Sequence, residues 1–188
     1  MTRIMLLALG ITLLIIITAC GDDNNSAKAV AGSSPIEVKA NNQDINTVMI
    51  SKTVEKPDYG NMDSFQSILK NNAANLPYVK LGETIQVKFH DQTTGQDSYE
   101  LIDYVLTEEG KMKYVGSEPI RPKMEFDNGT ASFVLKENML AYASSDSKDY
   151  KPGAVLRGFR LLCKWNNDTQ EVAFVIRTDA IPEDGQTQ

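Results

Sequence analysis

The second half of the chain is dominated by alternating apolar and polar positions, the pattern of half-buried β-strands. In residues 81–89 the alternating apolar side chains are Ile85, Val87 and Phe89. Residues 157–165 show the same alternation. Asp127-Asn128-Gly129 lies between two such runs and is a strong hairpin signal. The pattern predicts an antiparallel β-sandwich of about seven strands over residues 78–180.

The run Tyr99–Leu106 differs from its neighbours because it is apolar on both sides. The outer face of a simple sandwich sheet is normally polar, so the second apolar face of this run needs a cover. We expect the cover to come from residues 35–77, with a partner protein as the alternative. Glu108-Glu109-Gly110-Lys111 then predicts a tight turn, with Gly110 at its positive-φ position, that leads into a further predicted strand, Met112–Val115.

Residues 35–77 read as an N-terminal extension with short strands and one short helix. Alternation around residues 36–38 and 48–50 hints at strands. The spacing of Phe65, Ile68 and Leu69 predicts a helical face, with Asp63 or Ser64 as its N-cap. Pro77 prevents the helix from continuing.

The first nineteen residues have the pattern of an export signal. Arg3 is followed by sixteen uncharged residues, from Ile4 to Ala19. That length is short for a bilayer-spanning helix, which needs about 20 residues, and fits a signal peptide over residues 1–19. Small polar residues then predict a flexible linker to residue 34, and residues 181–188 are predicted to be a disordered tail.

The end of this leader, Ile17-Thr18-Ala19-Cys20, resembles the lipobox of bacterial lipoproteins. The resemblance implies that Cys20 receives a lipid, becomes the N-terminus after cleavage, and anchors the protein to the extracytoplasmic side of a bacterial membrane. Three alternatives stay open. The cysteine belongs by chance to an ordinary signal, cleavage occurs at Ala29-Val30-Ala31, or the leader stays attached as an anchor.

Two strands of the predicted sandwich resemble those of an immunoglobulin-like domain. Leu81–Val87 is similar to the second strand of that fold, and Gly158–Cys163 to the sixth. The resemblance implies an immunoglobulin-like architecture and no particular activity. Two hallmarks are missing, because Phe89 lies where the partner cysteine is expected and no Trp lies in Tyr99–Leu106.

The net charge of the chain limits the classes of partner that it can bind. The 188 residues include 19 Lys and Arg against 25 Asp and Glu, a formal net charge of -6. An acidic chain has no electrostatic surface for nucleic acid, and it is repelled by anionic lipid headgroups. The predicted partners are therefore a membrane, through the lipid on Cys20, and a protein at a sheet edge or face.

Candidate chemistry is sparse. The chain has a single His, His90, which cannot by itself form a typical zinc site. Cys163 shares its strand face with apolar side chains, which predicts a buried and inert thiol. Ser67 and Lys70 match Ser-x-x-Lys without the accompanying motifs of penicillin-recognising enzymes. No metal site, cofactor or catalytic residue is predicted.

Three functions follow, in order of preference. The first is a non-enzymatic, lipid-anchored binding or structural module. The second is an accessory subunit that docks a membrane-bound enzyme, transporter or receptor, and the third is a small hydrolase that uses His90 or Ser67. Aromatic residues near predicted loops are the candidate contact surface, since exposed Tyr is enriched in interfaces. These residues are Tyr59, Tyr78, Tyr142 and Tyr150.

Overall fold

The computed structural model describes residues 36–52, 58–89, 96–127, 129–165 and 168–182. The predicted signal peptide, Cys20, the linker, His90 and the tail from residue 183 lie outside the described residues.

The described chain is mainly β, with nine strands and two short helices. Their bounds are β1 Ile36–Ala40, β2 Gln43–Ile45, β3 Thr47–Lys52, α1 Asp63–Asn72, β4 Thr84–Phe89, β5 Gln96–Leu106, β6 Glu125–Asp127, β7 Thr130–Val134, α2 Met139–Tyr142, β8 Val155–Trp165 and β9 Asp168–Thr178. Short 3-10 turns cover Ala73–Asn75 and Ser147–Tyr150.

The strands form two antiparallel sheets. One has five strands in the order β2-β1-β4-β7-β6, and the other has four in the order β3-β9-β8-β5. An apolar core that includes Ile85, Val87, Phe133, Phe159 and Phe174 joins the two sheets. The two-sheet antiparallel architecture is therefore confirmed.

Residues 36–52 contribute strands to both sheets. Asn41 and Asn42, both at positive φ, turn β1 into β2. Only Asn46 separates β2, in the five-stranded sheet, from β3, which pairs with β9 in the four-stranded sheet. Six strands follow from residue 84 onward, where about seven were expected for residues 78–180, and the short strands expected in residues 35–77 are β1, β2 and β3.

Helix α1 covers the outer face of the four-stranded sheet. Phe65, Ile68 and Leu69 are buried, and they share an apolar cluster with Ile102 and Tyr104 of β5. The prediction that residues 35–77 cover the second apolar face of Tyr99–Leu106 is confirmed. Side chains from β8 and β9 complete the cluster, namely Leu156, Leu162, Ala173 and Val175.

Two local predictions are wrong. The N-cap of α1 is Met62, so neither Asp63 nor Ser64 holds that position. The Asn61 side chain accepts a hydrogen bond from Asp63 N at 2.9 Å. Met112–Val115 forms no strand, and only Met112 pairs, as an isolated bridge with Leu106. The turn before it packs against α1, because a Cβ on Gly110 would lie 2.7 Å from Gln66 N.

The close packing of α1 on β8 gives a test of the fold. A Cβ on Gly158 would lie 2.6 Å from Leu106 Cδ1 and 2.9 Å from Phe65 Cε1, so Gly158→Ala should overpack the cluster and destabilise the protein by about 1–3 kcal/mol. Gly60→Ala is the matched control, because its Cβ would meet only Asp58 Oδ1, at 3.4 Å. Urea unfolding measures both variants. Equal stabilities would contradict the packing of α1 described above.

Candidate binding cleft

A cleft of about 740 Å³ lies between the edges of the two sheets. Its walls come from β5 and β8 on one side, from β7 on the other, and from the segment of residues 120–125 that crosses between the sheets. We call it the inter-sheet cleft. Its volume lies in the range of small-molecule pockets. The lining residues used below are Asp103, Lys123, Glu125, Val134, Lys136, Glu137, Met139 and Arg157.

The floor of the cleft is a buried ion pair. Arg157 Nε donates to Asp103 Oδ1 at 3.0 Å, and Arg157 Nη2 donates to Asp103 Oδ2. The pair is nearly inaccessible, with 3% and 0% of the two side chains exposed. Two charges removed from water this far need further hydrogen bonds, or the desolvation cost exceeds their attraction.

Neighbouring groups supply those hydrogen bonds. Asn138 Nδ2 donates to Asp103 Oδ2 at 3.1 Å, and Arg157 Nη1 donates to the carbonyl oxygen of Lys136 at 2.6 Å. Asn138 also caps α2, because its Oδ1 accepts from Leu140 N. The ion pair therefore ties the four-stranded sheet to the segment that leaves β7, and it fixes the depth of the cleft.

One wall of the cleft is an open strand edge. The β6–β7 ladder pairs Asp127 with Thr130 and Glu125 with Ser132, then stops. On the other side of the strand, Leu135 bonds to Glu83 and Gly82. Because backbone groups alternate between the two sides of a strand, the N–H and C=O of Val134 face the cleft. No described strand pairs with β7 there.

The mouth of the cleft combines exposed apolar side chains with charged side chains of both signs. Val134 is 47% exposed and Met139 is 63% exposed. Lys123, Glu125, Lys136 and Glu137 are also exposed. Arg121 also lines the cleft, and its partner Glu100 lies outside the lining, so the exposed lining side chains are three cations and two anions.

A second groove, of about 680 Å³, lies between the start of α1 and residues 111–119. Tyr59, Tyr104 and Met112 are among its lining residues. Tyr59 donates to Glu100 Oε2 at 3.0 Å, and burial together with this hydrogen bond raises the pKa of Tyr59. Arg121 Nε lies 2.6 Å from Glu100 Oε1, and the Arg121 guanidinium lies over the Tyr59 ring. This wall is thus fixed by internal contacts.

The four tyrosines proposed as a contact surface lie in several environments. Tyr59 lines the second groove, as described. Tyr78 is 40% exposed and donates to Asp179 Oδ2 at 2.6 Å. Tyr142 is 49% exposed, and its carbonyl oxygen accepts from the Tyr150 hydroxyl at 2.7 Å. None of the four is among the residues that line the inter-sheet cleft.

The other candidate groups are placed as follows. Cys163 is fully buried, which confirms the expectation of a buried residue, and burial raises the pKa of its thiol to about 12. Ser67 is half-buried on α1 and Lys70 is exposed on the same helix, and neither lines the cleft or the second groove.

Within the described ranges, no group of three or more His, Cys, Asp or Glu side chains is arranged to hold a metal ion. In the same ranges no helix has the length and apolar character that crossing a bilayer requires.

No protein-family model, no curated protein and no solved structure matches this chain.

Asp103 and Arg157 were not among the residues predicted from the sequence. One local feature could have identified Asp103. It lies two residues from Leu101 and from Val105, so its side chain lies on the same face of the strand as these two apolar side chains. A buried carboxylate implies a buried cationic or hydrogen-bonding partner. Its partner, 54 residues further along the chain, depends on strand pairing that local patterns do not specify.

The ion pair under the cleft predicts a non-additive mutant cycle. Asp103→Leu leaves Arg157 buried without its counter-charge, and it should lower the free energy of unfolding by about 3–5 kcal/mol. Arg157→Met leaves Asp103 buried without its counter-charge, and we expect a loss of the same size. The double variant should be much closer to wild type, because apolar residues of similar volume replace both charges. Denaturant unfolding of the four proteins measures the coupling. Additive losses would contradict a paired, desolvated site.

Proposed function

We propose that this chain is a bacterial lipoprotein whose β-sandwich is a non-enzymatic binding module on the extracytoplasmic side of a membrane. The inter-sheet cleft supports the binding role, because it combines a suitable volume, exposed apolar side chains and an open strand edge. The Ile17–Cys20 pattern at the end of the apolar leader supports the lipid anchor.

We further propose that the sandwich is immunoglobulin-like. In the constant-type fold, strands A, B, E and D form one sheet and C, F and G the other. The order β1-β4-β7-β6 corresponds to A-B-E-D, and β9-β8-β5 corresponds to G-F-C. This correspondence makes β4 the second strand and β8 the sixth, which is the assignment that the sequence resemblance suggested. The strands β2 and β3 and helix α1 are then additions to the fold.

The lipid is the main attachment in this proposal. Removal of the leader takes away Arg3, so 18 basic residues remain against 25 acidic ones, a formal charge of -7. Such a body is repelled by anionic headgroups. Each buried methylene contributes about 0.8 kcal/mol, and two or more acyl chains on Cys20 suffice for durable anchoring.

The two cysteines of the chain allow a matched test of the anchor. Wild-type protein should fractionate with membranes, and Cys20→Ser should leave the membrane fraction because it cannot be acylated. Cys163→Ser is the control, because its thiol is buried in the core and the variant should stay with the membrane. Immunoblots of separated membrane and soluble fractions measure all three. Membrane retention of Cys20→Ser would contradict the proposal.

A further inference from the structure

We propose that the lipid tether holds the inter-sheet cleft on the side of the sandwich that faces away from the membrane, so that the cleft takes a water-soluble ligand and not a lipid of the anchoring bilayer. This inference rests on the proposed function, because it takes the lipid on Cys20 as the anchor. It follows from where the tether enters the sandwich and from where the cleft lies along the same strands.

The tether enters the sandwich at one end. Ile36, the first residue of β1, pairs with Phe89, the last residue of β4. Phe89 N also donates to the carbonyl oxygen of Gly129, in the hairpin between β6 and β7. The centroid of the Phe89 ring lies 5.2 Å from that of Tyr99, near the start of β5 in the other sheet. These contacts bring Ile36, the hairpin and the start of β5 to one end of the sandwich, which we call the tether end.

The cleft lies toward the opposite end. On the five-stranded sheet, Thr84 of β4 lines the cleft and pairs with Val134 of β7. Thr84 and Phe89 are the first and last residues of β4, so about 17 Å separates them at the rise of an antiparallel strand. On the four-stranded sheet, Asp103 in the floor of the cleft is about 13 Å past Tyr99 along β5. Both sheets therefore place the cleft away from the tether end.

The length of the tether favours an upright sandwich. The sequence predicts a flexible linker between Cys20 and Ile36, and such a chain has an r.m.s. reach of about 20 Å, of which about 12 Å lies along the membrane normal. An inverted sandwich, with the cleft on the bilayer, would lift Ile36 by more than the roughly 17 Å between the ends of β4. The upright orientation leaves the tether unstretched, so it is the more populated one.

The described lining of the cleft also differs from a lipid-binding surface. Its exposed charged side chains are three cations and two anions, and one of the cations, Arg121, is paired with Glu100. Sites for anionic headgroups have clusters of about four to eight Lys or Arg. Apolar and charged side chains side by side, in a pocket of small-molecule volume, suit a ligand that arrives from water.

Quenching by a lipid-bound nitroxide measures which end faces the bilayer. Lys88→Cys and Lys136→Cys place a bimane label at the tether end and at the cleft, and each replaces an exposed lysine. Cys20 is blocked by its lipid and Cys163 is buried, so the parent protein is the labelling control. The full-length lipidated protein is purified in detergent and inserted into phosphatidylcholine vesicles that carry the nitroxide on the headgroup.

The label on Lys88→Cys should be quenched at least about twofold more than the label on Lys136→Cys, because the tether keeps its own end near the bilayer. Gln86→Cys gives a matched third site, since Gln86 lies on the same exposed face of β4 as Lys88 and is further from the tether end. Its label should be quenched to an intermediate extent. Circular dichroism checks that each labelled variant is folded.

A longer linker tests whether the tether causes the orientation. Insertion of about thirty Gly and Ser residues after Ser34 raises the r.m.s. reach to about 35 Å. The difference in quenching between Lys88→Cys and Lys136→Cys should then fall by about half or more, because an inverted sandwich no longer stretches the linker.

Three outcomes would overturn the inference. Equal quenching of the two lysine-site labels would mean that the sandwich has no preferred orientation, and stronger quenching of Lys136→Cys would mean that the cleft faces the lipid. An unchanged difference with the longer linker would mean that the sandwich itself, and not the tether, sets the orientation. Failure of the anchor is distinguishable from all three, because protein without a lipid would not float with the vesicles and neither label would be quenched.

Discussion

The architecture depends on one constraint: the four-stranded sheet is apolar on both faces. Its inner face packs on the five-stranded sheet, and its outer face would expose Ile102, Leu156 and Val175 to water without a cover. Burial of such side chains contributes about 1.5–3 kcal/mol each, so the cover is as necessary as the core. Helix α1 provides it, between two strands that belong to opposite sheets.

A buried arginine fixes the helix in place. Arg160, on the outer face of β8, is 1% exposed. Its Nη1 donates to the Asp58 carbonyl oxygen at 2.9 Å, and its Nη2 donates to the Asn61 carbonyl oxygen, so it holds the segment just before α1. Glu171 Oε1 lies 3.0 Å from its Nε as an ion pair, and the Phe65 and Tyr104 rings flank its guanidinium at 5.5 Å. These contacts join the segment before α1 and the Phe65 ring of α1 to β8 and β9.

This arrangement also directs where a ligand can bind. With both faces of the four-stranded sheet covered, the accessible backbone is at the sheet edges. Residues 111–120 bond to β5 at Asp103 and Val105 and thereby cover much of that edge. On the side of the buried Asp103–Arg157 pair, no strand of the described residues pairs with β7 at Val134. The proposed binding role therefore follows from how the core is closed.

The local sequence predicted the strands better than their arrangement. Alternation in residues 81–89 is a property of neighbouring positions, and the two-faced run Tyr99–Leu106 was enough to predict a cover. The entry of β1 and β3 into different sheets depends on pairings with β4 and β9, which lie far along the chain. The cleft was not predictable, because it requires both the end of the β6 ladder at Glu125 and the distant partner of Asp103. The predicted N-cap of α1 was wrong, because the side chain that accepts a hydrogen bond from the first turn is Asn61, which precedes the two predicted residues.

Native-state hydrogen exchange under mild denaturant tests the central claim that α1 is an integral cover of the sheet. The account predicts that the amides of Ile68 and Leu69 in α1 exchange through the same opening as those of Leu161 and Phe174 in the sheet, with equal free energies and equal denaturant dependence. If α1 instead exchanges at low free energy while β8 and β9 stay protected, the sheet is stable without its helix and the account is contradicted.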